Sequence, residues 1–470
     1  MTDIYLSNTL AHKKEKFVPV KEGHVGIYSC GPTVYWNQHI GHMYAYVQWD
    51  LLARFLRHVG YEVMWVVNIT DVGHMTSDDD WGEDKMEKGA KREGVSLEDL
   101  AEKYIKQFSE SLNLLNVTRP DVLPRATEHI QEQINLAKKI EDNGFTYRTK
   151  MGLVYDTSKF ADYTKFANLK LEDQKSRKDV EVDPEKKRAW DFFLWVTGNP
   201  KHIMQWDSPW GKGYPGWHLE CTAMSVKYLG DNFDIHTGGI EHIPVHHTNE
   251  IAQGYGAFGK QTANYWLHNA HLLGSSGDKM SKSLGNFVTV QDLVKKGYDP
   301  LSLRYLFLNS HYKKGLSFST KSLDSAQAAL EKLKEQVSSL RNQAPRKALS
   351  EEKLQKVQVY QDKFINALAD DLNIAQALAV LWEMLKSNIP AEDKYDLALS
   401  FDEVLGLKLA EAQKVEVKIP GEVNELVNRR ESLRKAGKFE EADKVRKEIE
   451  AKGFTVRDTS QGSVLEPLKE

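Results

Sequence analysis

The chain has 470 residues, 41% of them hydrophobic and 28% charged, the composition of a water-soluble globular protein long enough for about two to four domains. A formal net charge of −4 argues against an overall basic nucleic-acid binder, although a local basic face remains compatible with it. No apolar run reaches the roughly 18 residues of a membrane helix, and "MTDIYLSNTLAHKKEKF" lacks the layout of a secretory signal. Two cysteines, Cys30 and Cys221, do not make a disulfide framework, so a cytoplasmic enzyme is expected. In chain order, Val25 to Tyr28 reads as a buried strand. It is followed by a Gly31-Pro32 turn and a helix in which Val47, Leu51, Leu52 and Phe55 recur at helical spacing. A second strand, Val63 to Val67, runs into Asn68, Ile69, Thr70 and Asp71. Strand, turn, helix, strand is a βαβ unit and predicts an α/β fold with a Rossmann-type, doubly wound parallel sheet. Ligands bind such sheets outside the carboxyl ends of the strands, where Cys30 and Thr70 lie.

From about Glu83 to Lys187 the pattern turns charged and helical, with one amphipathic helix capped near Gly144, and reads as an insertion between two halves of the sheet. The sheet is expected to resume at "WDFFLW" and to continue through "FDIHTGG" and "NYWLHNAHLL". From about Ser319 the chain reads as helical, with Ala326, Ala329, Leu330 and Leu333 on one face and a polar break at "NQAPRKALS". A last small unit starts near Pro420, where Phe439, Ala442, Val445 and Ile449 form a stripe that stops at Gly453.

Two motifs carry chemistry. In His39-Ile40-Gly41-His42 the histidines sit at i and i+3, on one face of a helix start. A helix N-terminus offers free N–H groups and positive dipole to a phosphate, and Gly41 lets a flat adenine approach the backbone. Two imidazoles there can stabilise charge on an α-phosphate as pyrophosphate leaves. On these four residues alone, a chance or metal-binding pair of histidines remains open. The second motif, "GSSGDKMSKSLGN", is a Gly- and Ser-rich loop with Lys279 and Lys282 at its tip, cations suited to a leaving pyrophosphate. Cys30, Cys221, His246 and Glu250 together offer two thiolates, an imidazole and a carboxylate, a donor set for Zn²⁺. Either cysteine taken alone reads equally well as a small buried hydrophobe.

The two motifs in this order resemble a class I aminoacyl-tRNA synthetase. "YSCGPTVYWNQHIGH", "VVNITDVG", "PGWHLECTAMS", "VHHTNEIAQ" and "KMSKSLGNFVTV" narrow the resemblance to the cysteinyl-tRNA synthetases, over most of the chain. That resemblance implies activation of cysteine by ATP with Mg²⁺, then transfer to the terminal adenosine of tRNA(Cys). It implies one Zn²⁺ on Cys30, Cys221, His246 and Glu250, reading the substrate thiol, and ATP contacts from His39, Gly41, His42, Lys279, Ser281 and Lys282. Of these, His39, His42, Lys279 and Lys282 would be catalytic, while Thr70, Trp217 and Glu241 would contact cysteine. It further implies a catalytic domain over 1–117 and 189–295, an insertion over 118–188, and a stem-contact segment over 296–318. A helical bundle over 319–410 and an anticodon-binding domain over 411–470 complete the expected monomer. The chain departs from the family pattern at Glu241, where Asp is usual, at Pro244-Val245, at Met43-Tyr44-Ala45, and through "TDVGHMTSDDDWGEDKMEKGAKREG". Other readings are a ligase joining cysteine to an amino sugar, a non-catalytic RNA-binding or thiol-sensing paralogue, and a zinc-free nucleotidyltransferase. Lys313, Lys314, Arg429, Arg430, Arg434 and Lys435 are candidate phosphate contacts, each equally readable as part of a solvated face. Trp36, Trp81 and Trp266 carry no assignment.

Overall fold

The structure is a computed structural model that describes residues 2–73, 84–169, 183–199, 202–274, 277, 287–341, 350–412, 420–459 and 462–467. Trp81, Lys279, Ser281, Lys282 and nearly all of the polar break lie outside the described residues. The chain forms two compact units, Met1–Glu411 and Ala412–Glu470.

The first unit opens with an antiparallel pair, β1 (Tyr5–Asn8) and β2 (Lys13–Lys16). Then come β3 (His24–Ser29), α1 (Ile40–His58) and β4 (Glu62–Val67), the expected βαβ unit. Two charged helices follow, α2 (Lys85–Glu93) and α3 (Leu97–Leu114), and after a turn comes α4 (Ile130–Asp142). Strands β5 (Thr146–Thr149), β6 (Gly152–Tyr155), β7 (Phe192–Val196) and β8 (Tyr214–Pro215) make a separate antiparallel sheet. Helix α5 (Trp217–Leu229), β9 (Phe233–Gly239), α6 (Thr248–Phe258) and β10 (Ala263–Asn269) complete the central sheet and its helices. The central sheet has the order β10-β9-β3-β4 and is parallel throughout. Its register sets Tyr265, Ile235, Ile27 and Trp65 in one row. Chain order reverses between β3 and β9, the switch point at which parallel sheets open a crevice. Val47, Leu51, Leu52 and Phe55 of α1 are fully buried against this sheet, each contributing about 1.5–3 kcal/mol relative to exposure.

Two expectations need correction here. "WDFFLW" does not resume the parallel sheet, because β7 pairs antiparallel with β6 and β8. All five residues of β7 are buried, Phe192, Leu194 and Trp195 in one apolar cluster and Phe193 and Val196 in another. A strand covered on both faces shows no alternation, and its sequence does not say which sheet it joins. The segment read as charged and helical also contains β5 and β6, four residues each and too short for a period to show.

A short β11 (Leu272–Leu273), α7 (Val290–Lys295), α8 (Pro300–Leu308) and β12 (Leu316–Ser317) lead into a helical bundle. The bundle consists of α9 (Thr320–Leu340), α10 (Glu351–Ala369), α11 (Ile374–Lys386) and α12 (Ala391–Leu405). On α9, Ala326, Leu330 and Leu333 are buried and Ala329 packs beside them. The second unit holds α13 (Gly421–Lys435), α14 (Phe439–Ala451) and an antiparallel pair, β13 (Phe454–Thr459) and β14 (Gly462–Pro467). Ala442, Val445 and Ile449 form its buried stripe, but Phe439 is 59% exposed and lies beside Arg434, so the stripe starts one turn later than expected. Among the described residues no helix is long and apolar enough to cross a membrane.

Candidate active site

A cleft of about 590 Å³ opens at the carboxyl ends of β3 and β9, and Cys30, Gly41, His42, Trp217 and Glu241 are among its lining residues. His39 is the N-cap of α1, its Nδ1 accepting from Gly41 N at 3.0 Å. The His39 and His42 rings stack with centroids 3.7 Å apart, and Phe287 meets His39 edge-on at 5.5 Å. Both imidazoles therefore present one surface at a helix N-terminus, an arrangement suited to a phosphate. A Cβ on Gly41 would fall 2.7 Å from His39 Cε1, so glycine is needed for the ring pair itself as well as for any approaching base.

Cys30, which lines the cleft, also belongs to a cluster with the chain's other cysteine. Cys30 follows the last residue of β3, Cys221 is buried on α5, and His246 and Glu250 come from a wide π-type turn and the start of α6. One donor atom from each of the four lies within 4.8 Å of the others. His246 Nε2 stands 3.1 Å from Glu250 Oε1, while its Nδ1 is held by His218 Nδ1 at 2.9 Å. One ring nitrogen is thereby anchored and the other left facing the cluster, the usual arrangement of a metal-ligating histidine.

Behind this set lies a layer of histidines that the sequence reading missed. His236 Nε2 and His247 Nε2 approach Cys30 Sγ at 3.6 and 3.2 Å. His247 Nδ1 is 2.7 Å from His268 Nε2, and His268 Nδ1 is 2.7 Å from Thr9 Oγ1. With Cys30 as a thiolate, the chain is satisfied when the Thr9 hydroxyl donates to His268, His268 donates to His247, and His247 donates its Nε2–H to the sulfur; with Cys30 as a thiol, every bond reverses. The available signal was a histidine inside each of the apolar strands "FDIHTGG" and "NYWLHNAHLL".

Burial sets the electrostatics. It pushes the Glu250 carboxyl well above its ordinary range and pulls His236 and His247 well below theirs, with His268 lowered to about 3. Burial and the neighbouring Cys221 raise the Cys30 thiol, while the hydrogen bond with Cys30 holds Cys221 below its usual value. Two thiols and a carboxyl 1% exposed, faced mainly by neutral imidazoles, form a pocket that a cation would relieve, since a bound dication inverts these preferences. Thiolate, imidazole and carboxylate donors in this number fit Zn²⁺. A second overlapping set, Cys30, His236, His247 and Glu250, is also close enough to share an ion.

The remaining sequence candidates fall out as follows. Trp217 opens α5 and lies over His246 with ring centroids 4.6 Å apart. Glu241 lines the cleft with Oε2 3.5 Å from His271 Nδ1. Thr70 is buried and does not line the cleft; its Oγ1 accepts from Asn68 Nδ2 at 3.1 Å. Asn68 Oδ1 in turn holds Gly31 N at 2.7 Å and lies 3.8 Å from Cys221 Sγ, so Thr70 reaches the cluster only through Asn68. Lys313 is exposed, and its Nζ donates to Ser7 Oγ at 2.8 Å. Arg430 is 2% exposed and donates to Ser463 Oγ, so it is structural. Trp266 is a core residue stacked on His236, and Trp36 is covered by the Arg92 guanidinium at 3.6 Å.

A parallel sheet with a His-Ile-Gly-His helix start at its switch point defines a class I synthetase catalytic domain, and the comparisons agree. The family model "tRNA synthetases class I (C) catalytic domain" matches residues 16–328, the "DALR domain" model matches 363–409, and the "Cysteinyl-tRNA ligase anticodon binding domain" model matches 416–463. The fold is similar to that of a methionyl-tRNA synthetase from Mycobacterium tuberculosis bound to methionyl-adenylate. That likeness has a TM-score of 0.55 at 15% identity, over 84% of this chain and 92% of that one. The cysteine–tRNA ligase of Treponema denticola is 42% identical over 96% of this chain and 97% of its own length. Cysteine–tRNA ligase 1 of Burkholderia lata is 44% identical over 98% and 96%, and a cysteine–tRNA ligase of Thermus thermophilus 39% over 98% and 98%. The chain belongs to the cysteinyl-tRNA synthetase family.

Proposed function

We propose that this protein activates cysteine with ATP and Mg²⁺ to cysteinyl-adenylate and transfers the cysteinyl group to the terminal adenosine of tRNA(Cys). The observation that carries this reading is the cluster of both cysteines with His246 and Glu250, joined through Cys30 to the cleft that the stacked pair His39 and His42 also lines. In the activation step the cysteine carboxylate oxygen attacks the α-phosphorus of ATP, and the bond to the bridging oxygen breaks as pyrophosphate leaves. His39 and His42 face the charge that grows on the phosphoryl oxygens, assisted by the positive end of α1. Lys279, Ser281 and Lys282 are assigned to the departing pyrophosphate on the strength of their motif. Glu241 supplies a carboxylate for the substrate ammonium, and Trp217 walls the side-chain pocket. Thr70 acts at one remove, by fixing Asn68. In the second step the terminal ribose hydroxyl attacks the activated carbonyl and AMP departs.

Cys30, Cys221, His246 and Glu250 would hold a zinc ion, which when bound supplies a thiophilic site that favours a thiolate over a hydroxyl. Selectivity of that kind is what the reaction needs, because apolar contacts alone separate near-isosteres such as serine and cysteine by roughly ten- to two-hundred-fold. With Cys30 as a thiolate, the His268 and His247 relay donates its last N–H toward it and so holds that sulfur in place. The test is ATP–pyrophosphate exchange with cysteine or serine as the amino acid. Exchange that depends on cysteine and is over a thousand-fold weaker with serine is expected, beyond the roughly two-hundred-fold of an apolar pocket. Comparable exchange with both would refute the thiol-reading assignment.

A further inference from the structure

Outside the groups already used, the described residues hold a second cluster: buried Asp84 and His202 with half-buried Glu87. Asp84 is the N-cap of α2, where its Oδ1 accepts from Glu87 N at 2.8 Å. His202 comes from the loop after β7 and stacks on Tyr214 of β8 at 3.8 Å and 15°. Its Nδ1 is 2.8 Å from Met204 O, and its Nε2 is 2.8 Å from Asp84 Oδ2 and 3.2 Å from Gly73 O. All three partners are acceptors. A neutral imidazole has a single N–H and cannot serve both of its edges, so this ring holds two protons and pairs with Asp84 as an imidazolium. Ile203 N adds a 2.8 Å bond to Glu87 Oε1, tying the same loop to α2 again. The His202 and Asp84 side chains are 1% and 3% exposed, and a Cβ on Gly73 would fall 1.7 Å from Asp84 Oδ2.

Both ends of this ion pair lead to the cleft. The residue after Asp84 is Lys85, whose Nζ lies 5.4 Å above the Trp217 ring. Tyr214, under His202, is three residues before Trp217 on the strand that feeds α5. Lys85 and Trp217 both line the cleft, and Trp217 covers His246.

We propose that His202 and Asp84 are a positioning pair for cysteine binding: their ion pair clasps the loop after β7 to the start of α2 and so holds Lys85 against Trp217, the pocket wall beside His246. The inference rests on the reading of the cleft as a cysteine pocket. The groups facing the His202 ring are Asp84 and Glu87 from α2, Tyr214 from β8, and the Gly73 and Met204 carbonyls. Burial opposes the charge, but Asp84 outweighs it and the ring titrates above the ordinary histidine value. The clasp is therefore fully formed at the ordinary histidine value of about 6.5 and is lost as pH rises through the raised value.

The test is pyrophosphate exchange by the full-length protein with His202→Ala, Lys85→Met and the double variant, at neutral pH and in alkaline steps. Each single change is expected to raise KM for cysteine about tenfold while kcat and KM for ATP stay within about twofold. The double variant should be no worse than the weaker single. The KM ratio of His202→Ala to the parent should fall toward one as the parent's ring deprotonates, with substrate-thiol ionisation cancelling in the ratio. Multiplicative effects in the double variant, or a lowered melting temperature with unchanged KM, would overturn the proposal. So would a metal equivalent that His202→Ala loses while the cysteine cluster keeps its own, which would make the three donors a cation site. Should His202→Ala fail to fold, Lys85→Met alone decides, since the proposal requires its KM effect. A parent protein inactive with cysteine would defeat the reading of the pocket; a normal parent with indifferent variants would defeat only this inference.

Discussion

Gly41→Ala is the sharpest probe of the helix-start chemistry. The added Cβ would lie 2.7 Å from His39 Cε1 and 2.8 Å from His39 Nδ1, with Leu272 Cβ at 3.7 Å on the other side. The backbone of α1 cannot give, because Met43, Tyr44 and Val47 are fully buried. The ring must therefore swing by about 1 Å, giving up its bond from Gly41 N and its stacking on His42. Loss of that cap costs about 1 kcal/mol of stability, partly offset by alanine's better helix propensity. Misplacing a catalytic group by about 1 Å lowers the chemical step about a hundredfold, which corresponds to about 2.7 kcal/mol of barrier. Single-turnover formation of cysteinyl-adenylate measures this directly, with the melting temperature and metal content as controls. A hundredfold slower adenylation in a folded, metal-replete protein is expected. Adenylation within about threefold of the parent would refute the claim that the stacked histidines act on the phosphate.

Four further outcomes follow from named contacts. Cys221→Ser should lose bound metal and cysteine-dependent exchange together; an active, metal-free variant would contradict the ligand assignment. His268→Ala removes the residue that orients His247 and should weaken metal retention against a chelator by about 10- to 100-fold, read by competition with a chromogenic chelator. Asp50 is fully buried; burial would raise its pKa, but Arg304 at 2.7 Å and Arg54 hold it below the ordinary value. Its stabilisation is thus present above about pH 4 and lost as pH falls through the depressed value, and Asp50→Asn should destabilise by about 3–5 kcal/mol in denaturant melts at neutral pH by stranding buried Arg304. Deleting 412–470, a compact unit of its own, should leave cysteine-dependent exchange within about twofold while raising KM for tRNA at least about tenfold in charging assays.

What the sequence reveals depends on how local the signal is. The βαβ unit is legible because α1 and its flanking strands each carry their own period, and the histidine pair because both residues fall within one helical turn. Cys30, Cys221, His246 and Glu250 are legible only as a set, through resemblance, since three separate elements bring them together. The histidine layer behind them is a tertiary product: His236 and His268 read as isolated residues in apolar strands, and His247 as the neighbour of a ligand, until β9, β10 and the turn before α6 are packed side by side. The misplacement of β7 has the opposite origin, a run so uniformly apolar that it fits either sheet. Arg430 and Phe439 show that exposure is not readable residue by residue, because a cation such as Arg430 is buried beside Ser463 while the apolar Phe439 is left in solvent.

Charging of tRNA with labelled cysteine, run beside labelled serine with ATP and Mg²⁺ and repeated after chelation, tests the central claim most directly. The account predicts cysteine attached to tRNA(Cys) alone, serine left at background, and activity lost with the metal and restored by zinc. Equal charging with serine, or full cysteine charging by a metal-free protein, would contradict it.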